Sequence, residues 1–293
     1  MRGEMAEPRF HRAWPALLRR AGLASRINYA HPLSRLGRRF RIPIEGGLGE
    51  TLLKLQPEFK YDIVTLFADR SPAWFVDVGA NIGQTIIETF AARAWERYLA
   101  LEPDIIAAAY LQRLVRLNDL PVEVLPWAAG KAPIPQAFFS KGVADASATM
   151  APDGRPGAYT VKMSRWVASY PLDRLRSIAA LPTGVMIKID VEGFEPDVLE
   201  GGCEILKCVR PLVLCEVLRA YSAAEVDYAD AKMDRLERLL GFHDYRIFYI
   251  EMEQEASGRL RNLRNVACFP RGEWRDNPSG ADYLFAPGEA SVP

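Results

Sequence analysis

From Ala73 onward, short apolar runs alternate with longer stretches whose apolar residues recur at helical spacing. Strand-length runs separated by helix-length segments are the pattern of a mostly parallel sheet with crossover helices. The pattern predicts strands over Trp74 to Val78, Tyr98 to Leu101, Val122 to Pro126, Val185 to Ile189, Leu212 to Glu216 and Tyr245 to Ile250. Between them it predicts helices over Ile82 to Arg93, Ile105 to Leu117, Pro196 to Leu206 and Ala223 to Leu240. Two late apolar runs, Val266 to Phe269 and Tyr283 to Phe285, are placed to close the sheet as an antiparallel pair. The expected fold class is therefore α/β and Rossmann-like: a mostly parallel central sheet, helices on both faces and an antiparallel C-terminal edge strand.

Two regions depart from the alternation. Lys131 to Arg174 is rich in Pro, Gly, Ser and Ala, with strand-like pieces at Ala137 to Ser140 and Thr160 to Trp166, and reads as an insertion over the sheet edge. Residues 1–40 form a basic N-terminal extension whose positive charge is all arginine, with pairs at Arg19-Arg20 and Arg38-Arg39 and a short helix predicted from about Pro15. A solvated extension is the plain reading; contact with an acidic or membrane surface, or a transit peptide, are the sharper ones. Arg41-Ile-Pro-Ile-Glu-Gly-Gly reads as a strand and turn leading into a helix over Glu50 to Asp69, so the folded domain is expected to span 41–293.

Composition narrows the classes. The chain is 49% hydrophobic and 25% charged, enough apolar material for a core and unlike a disordered chain. Lysine plus arginine and aspartate plus glutamate both total 37, so no net field draws in a polyanion, and a nucleic-acid partner is not expected. No apolar run approaches the about 20 residues of a membrane span, and no secretory leader is evident. Cys203, Cys208, Cys215 and Cys268 show no paired spacing and read as free, mostly buried thiols of a reducing, cytoplasmic compartment. The sequence leaves the oligomeric state open.

The first chemical signal is Trp74-Phe-Val-Asp-Val-Gly-Ala-Asn-Ile-Gly-Gln-Thr, an apolar strand running into a Gly-x-Asn-x-Gly turn and then a helix. Gly79 and Gly83 allow a tight turn and close backbone approach, and the following helix offers unsatisfied N–H groups to a carboxylate or phosphate. Asp77 at the strand end supplies a fixed negative charge, which suits an ammonium group and repels a pyrophosphate. Glu102 ends the next strand, where an acid accepts the two hydroxyls of a ribose. Together these residues, with Asn81 inside the turn, indicate an adenosine cofactor with an amino-acid-like end. A nicotinamide cofactor fits less well, because Asn81 stands where Gly-x-Gly-x-x-Gly requires its second glycine.

The second signal is Val185-Met-Ile-Lys-Ile-Asp-Val-Glu-Gly-Phe-Glu-Pro-Asp, an apolar strand that carries Lys188 in its body and delivers Asp190, Glu192 and Gly193 at its carboxyl end. A lysine in a buried strand needs a carboxylate, for which Asp190 and Glu216 are the candidates. Ile187 to Gly202, "IKIDVEGFEPDVLEGG", with Phe75 to Thr85, "FVDVGANIGQT", resembles the FkbM family of S-adenosylmethionine-dependent methyltransferases. Leu101-Glu102-Pro103, Asn118, Leu172-Asp173-Arg174-Leu175, Arg210-Pro211 and Glu216 extend the likeness over roughly residues 41–286. The resemblance implies the class I methyltransferase fold, with S-adenosylmethionine as cofactor and methyl transfer to a hydroxyl of a sugar, glycan or polyketide-type product. It implies cofactor contacts from Asp77, Gly79, Asn81, Gly83 and Glu102, with Lys188, Asp190 and Glu192 at the methyl-donating end.

An alcohol acceptor must lose its proton during attack, so a base near the methyl group is needed. Asp190 is the first candidate, Glu192 the second, and Lys188 the partner that positions it. Asp190, Glu192 and Glu216 also make a thin set of hard-metal ligands without a histidine, and no metal is expected. Other classes compatible with these motifs are a nicotinamide-dependent oxidoreductase, a non-catalytic adenosylmethionine-binding module and, more weakly, a nucleic-acid amino-methyltransferase.

Overall fold

The computed structural model describes residues 28–55, 59–69, 73–152, 160–220, 222–253, 258–272 and 282–293. The helix expected from Pro15 and the Arg19-Arg20 pair lie outside them. The described residues open with an antiparallel hairpin, β1 (Tyr29–Arg35) and β2 (Arg38–Ile44), where the sequence suggested only one short strand. Helix α1 (Phe59–Leu66) follows, and then the alternating segment begins: β3 (Trp74–Val78), α2 (Gln84–Ala92), β4 (Arg97–Leu101), α3 (Ile105–Leu117) and β5 (Val122–Leu125). Asp104 starts α3 by accepting the Ile106 N–H at 2.9 Å, the helix-capping role its short carboxylate suits.

The insertion contributes β6 (Ala128–Gly130), β7 (Gln136–Ser140), β8 (Met163–Val167) and β9 (Ser169–Pro171). Strands β7 and β8 pair as a hairpin, while β6 pairs with β9. Then come α4 (Arg174–Ala179), β10 (Met186–Ile189), α5 (Glu195–Glu200), β11 (Leu212–Glu216), α6 (Val226–Phe242), β12 (Tyr245–Met252), β13 (Leu260–Val266) and β14 (Asp282–Pro287). The helix expected to run to Leu206 instead stops at Glu200, and a π-helical turn covers Ile205–Val209. At Gly201, which follows the helix, a Cβ would stand 2.0 Å from the Gly130 carbonyl oxygen, so the chain must pass β6 without a side chain.

Among the described residues the main sheet has eight strands, in the order β13-β12-β14-β11-β10-β3-β4-β5. Strands β11, β10, β3, β4 and β5 are parallel, and β14 runs antiparallel between β11 and β12. The two late strands therefore do not pair with each other. Each pairs with β12, β13 on the outer edge and β14 inside the sheet.

Helices cover both faces, as the near-continuous apolar strands require. On one face Ile86, Phe90, Leu111 and Leu114 pack with Phe59 and Ile63. On the other, Leu175, Val198, Leu199, Leu236 and Leu240 pack under Ile187 and Val213. The N-terminal hairpin joins the first face through Tyr110, whose hydroxyl donates to the Pro43 carbonyl at 2.7 Å, and through Asn118, which bonds the Arg41 backbone at 2.6 and 2.8 Å. All four cysteines are free, but only Cys215 is buried, so the expectation of mostly buried thiols does not hold. Among the described residues no helix is long and apolar enough to cross a membrane.

Candidate active site

A cavity of about 230 Å³ opens at the carboxyl ends of β3, β4 and β10. Neighbouring strands β3 and β10 mark the point where the chain's crossovers change direction, the place where open α/β sheets hold ligands. Gly79, Asn81 and Glu102 line one part of the wall, and Lys188, Asp190 and Glu192 another. The insertion supplies the facing wall with Phe138, Thr149 and Met150, so it lies over the strand ends as a roof.

The two glycines of the turn serve packing as much as a ligand. Gly79 has φ +81°, and a Cβ there would stand 2.0 Å from the Asp190 carbonyl oxygen. Gly83 has φ +98° and would meet Leu114 Cδ2 at 2.7 Å; it does not line the cavity. Asn81 takes the left-handed conformation between them, with φ +46°. Its N–H donates to Glu102 Oε2 at 2.8 Å and its side-chain oxygen accepts from Ile82 N–H at 2.6 Å.

Glu102 is nearly enclosed. Its other oxygen, Oε1, accepts from the Asp104 N–H at 2.7 Å. Burial pushes its carboxyl up from 4.5 to about 7, against the pull of those two backbone donors. Each oxygen keeps a second lone pair, so the carboxylate can accept two further donors once ionised. Asp104 beside it is held by Arg165, whose guanidinium reaches its two oxygens at 3.2 and 3.1 Å and so ties β8 of the insertion to the tip of β4.

Asp77 stands elsewhere than the turn suggested. It is 0% exposed and does not line the cavity. Its Oδ2 accepts from the Tyr98 hydroxyl at 3.0 Å, and its Oδ1 lies 3.2 Å from Lys188 Nζ. Among the described residues Oδ1 has no directed hydrogen-bond donor, so that second contact is ionic. Lys188, which does line the cavity, occupies the position beside this carboxylate.

Lys188 therefore has two carboxylate partners, Asp77 and, at 3.3 Å, Asp190. Its ammonium also donates to the Gly79 carbonyl at 2.9 Å. Of the two partners expected for it, Asp190 is present, and Asp77 takes the place foreseen for Glu216. Burial alone would lower the lysine pKa, but Asp190 and Asp77 outweigh it and raise it, so Lys188 stays charged. Burial likewise acts to raise Asp190, and Lys188, a hydrogen bond from Glu216 and Lys60 more than reverse it.

Glu216, at the end of β11, is a further acid of the site. Burial and then the charge of Asp190 push its carboxyl up from 4.5 to about 10, so it keeps its proton at neutral pH. Asp190, Glu192 and Glu216 each bring a carboxylate oxygen within 4.8 Å of the others, a spacing that a hard divalent cation can also bridge. No pattern in the chain could have revealed Thr149 or Arg165, which reach the site from the insertion; Asp104 was missed as well, although an acid directly before an apolar helical run is a helix-cap signal.

A doubly covered, mostly parallel sheet in this order, with β14 inserted antiparallel near its end and a cavity at the switch point, is the Rossmann-like class I methyltransferase fold. The chain belongs to the FkbM methyltransferase domain family, whose model matches residues 77–247. Among solved structures it is similar to a methyltransferase FkbM from Methylobacillus flagellatus KT, at 20% identity and a TM-score of 0.42, covering 73% of this chain and 43% of that one. It is also similar to a precorrin-6y C5,15-methyltransferase from Geobacter metallireducens GS-15, at 11% identity and a TM-score of 0.35, covering 76% and 84% of the two chains. A third is a spermidine synthase from Thermotoga maritima, at 13% identity and a TM-score of 0.40, covering 89% and 72%. None of the curated proteins matches this chain.

Proposed function

We propose that this chain transfers a methyl group from S-adenosylmethionine to a hydroxyl of a sugar, glycan or polyketide-type small molecule. One observation carries the reading: a single cavity has Glu102 at one part of its wall and Asp190 with Glu192 at another, joined by the Gly79 to Asn81 turn. The residues fit the cofactor. Glu102 has two lone pairs for ribose hydroxyls, and the carboxylates of Asp190 and Glu192 suit the positive charge of a sulfonium.

When bound, S-adenosylmethionine supplies an activated methyl group, and the chain's own residues orient the acceptor and handle its proton. Asp190 is the proposed base, with Glu192 second. Lys188 keeps its charge and holds Asp190 from below, which makes it a positioning group rather than a base. Because Asp190 is held ionised and is a weak base, it accepts the acceptor's proton late, as carbon–oxygen bond formation acidifies that proton. The zero net charge supports a small-molecule or glycan acceptor over nucleic acid.

Calorimetry with S-adenosylhomocysteine and with a nicotinamide cofactor tests the reading. Binding of the nicotinamide cofactor alone would overturn it in favour of an oxidoreductase. A labelled-methyl assay against a panel of hydroxylated acceptors then separates a transferase from a module that binds the cofactor without catalysis.

A further inference from the structure

Thr149 sits in the insertion and is 1% exposed. Its backbone exchanges two hydrogen bonds with Phe139 of β7, at 2.9 and 3.0 Å, which fixes its height above the cavity. Its hydroxyl accepts from the Ala151 N–H at 2.8 Å and donates to the Glu192 carbonyl oxygen at 2.8 Å. That last bond crosses from the insertion to the carboxyl end of β10.

The acceptor of this bond is an unusual residue. Glu192 has φ +57°, a left-handed conformation that a non-glycine residue keeps only where its surroundings hold it. The next residue, Gly193, has φ +104°, and its N–H donates to the buried Glu195 Oε1 at 2.7 Å. The turn is thus clamped from two directions, by Glu195 within the motif and by Thr149 from the roof. The side chain that leaves this turn meets Asp190 and Glu216, with carboxylate oxygens within 4.8 Å.

We propose that Thr149 is a positioning residue for Glu192: by holding the Glu192 carbonyl it keeps the turn left-handed and aims the Glu192 carboxylate at the methyl-donor end of the cavity. The inference rests on the adenosylmethionine reading. It makes the insertion a working part of the site, since the same strand hairpin that roofs the cavity sets the direction of an acid in its floor.

The test compares calorimetric affinities of the full chain for S-adenosylmethionine, whose sulfonium is positive, and S-adenosylhomocysteine, whose thioether is neutral. Their ratio reads the negative charge facing the sulfur. Thr149→Val removes the hydroxyl at nearly constant volume and is expected to cut the preference for the sulfonium by about fivefold, the effect of moving one facing charge away. Thr149→Ser keeps the hydroxyl and holds the ratio within about twofold of wild type. A Thr149→Val ratio equal to wild type overturns the proposal, as does a Thr149→Ser ratio as low as that of valine. Loss of cooperative thermal unfolding in Thr149→Val also overturns it, because Thr149 would then act on the fold. Amide hydrogen exchange across Glu192 to Glu195 needs no ligand and should rise in Thr149→Val but not in Thr149→Ser; unchanged exchange sinks the proposal. If wild type binds neither compound while exchange rises as expected, the cofactor reading fails and the clamp stands.

Discussion

Lys188 Nζ lies 3.2 Å from Asp77 Oδ1 across the β3–β10 pair, and both side chains are buried. The pair locks the first strand of the site to the strand that carries Asp190. Removing Lys188 leaves Asp77 buried without its counter-charge, whereas removing the Asp77 charge leaves Lys188 paired with Asp190 at 3.3 Å. Asp77→Asn should therefore lower unfolding stability by only about 1–2 kcal/mol in a urea titration. Lys188→Met should cost more, about 3 kcal/mol, since it strands Asp77 and frees Asp190. The double variant should lose less than the sum of the two, because neither charge is then left alone. An Asp77→Asn chain that unfolds at the wild-type urea concentration but fails to bind S-adenosylhomocysteine would return Asp77 to the ligand.

The two turn glycines should respond differently to alanine. At Gly79 the new Cβ meets backbone, the Asp190 carbonyl oxygen at 2.0 Å, and only movement of β10 relieves it. At Gly83 it meets the ends of two leucine side chains, Leu114 Cδ2 at 2.7 Å and Leu111 Cδ2 at 3.1 Å, which can turn aside. Both also pay the left-handed backbone penalty of about 1–2 kcal/mol. Gly83→Ala should give a folded chain destabilised by about 2 kcal/mol, and Gly79→Ala one that loses more than about 4 kcal/mol or fails to fold. Thermal melts of the two variants decide it; equal melting temperatures would mean that β10 tolerates the displacement.

Much of the fold was readable because it is local. The run Leu212–Glu216 is a strand and Ile105–Leu117 a helix with the predicted bounds, since each element's own apolar period and its capping residue set its limits. The rest of the fold is set by partners distant in the chain. The β14 strand enters between β11 and β12, a pairing that no property of Tyr283 to Phe285 announces. The last edge strand is Leu260–Val266, whose polar face points to solvent and so weakens the apolar signal that pointed instead to Val266 to Phe269. The same holds in the site. Glu102, Asp190 and Glu192 were visible from their strand ends and Lys188 from its charge within an apolar strand, and all four line one cavity. The partner of Lys188 depends on the register between β3 and β10, which places Asp77 directly opposite it. Without that register Asp77 read as a ligand contact.

Glu102 makes cofactor binding depend on pH. Its carboxyl is raised to about 7, and only the ionised form offers both oxygens as acceptors. Affinity for S-adenosylhomocysteine should rise as pH climbs from 5.5 through about 7 and then level off. The apo protein should move the other way. A carboxyl raised on folding binds its proton more tightly in the folded chain, so the stability it contributes is lost as pH rises from about 4.5 toward 7. Calorimetry and melting curves over that range check both signs. Glu102→Gln should flatten both profiles while weakening binding at high pH; a wild-type affinity that is flat from 5.5 to 8 would remove Glu102 from the cofactor site.

The Asp190–Glu216 contact bears on both catalysis and metal dependence. Glu216 holds its proton to about 10, and its folded-state stabilisation therefore fades as pH rises between 4.5 and that value. Glu216→Gln copies the protonated form, so its melting temperature should fall less than that of wild type between pH 7 and 9. Asp190→Asn should reduce methyl transfer by about 100-fold or more, the usual contribution of a positioned base, while S-adenosylhomocysteine affinity stays within a few-fold. Lys188 already balances the charge of Asp190, the carboxylate that a cation there would share with Glu192 and Glu216. Transfer should accordingly survive prior treatment with a chelator. Activity lost to the chelator and restored by magnesium would instead make the three carboxylates a metal site, and Asp190 a ligand in place of a base.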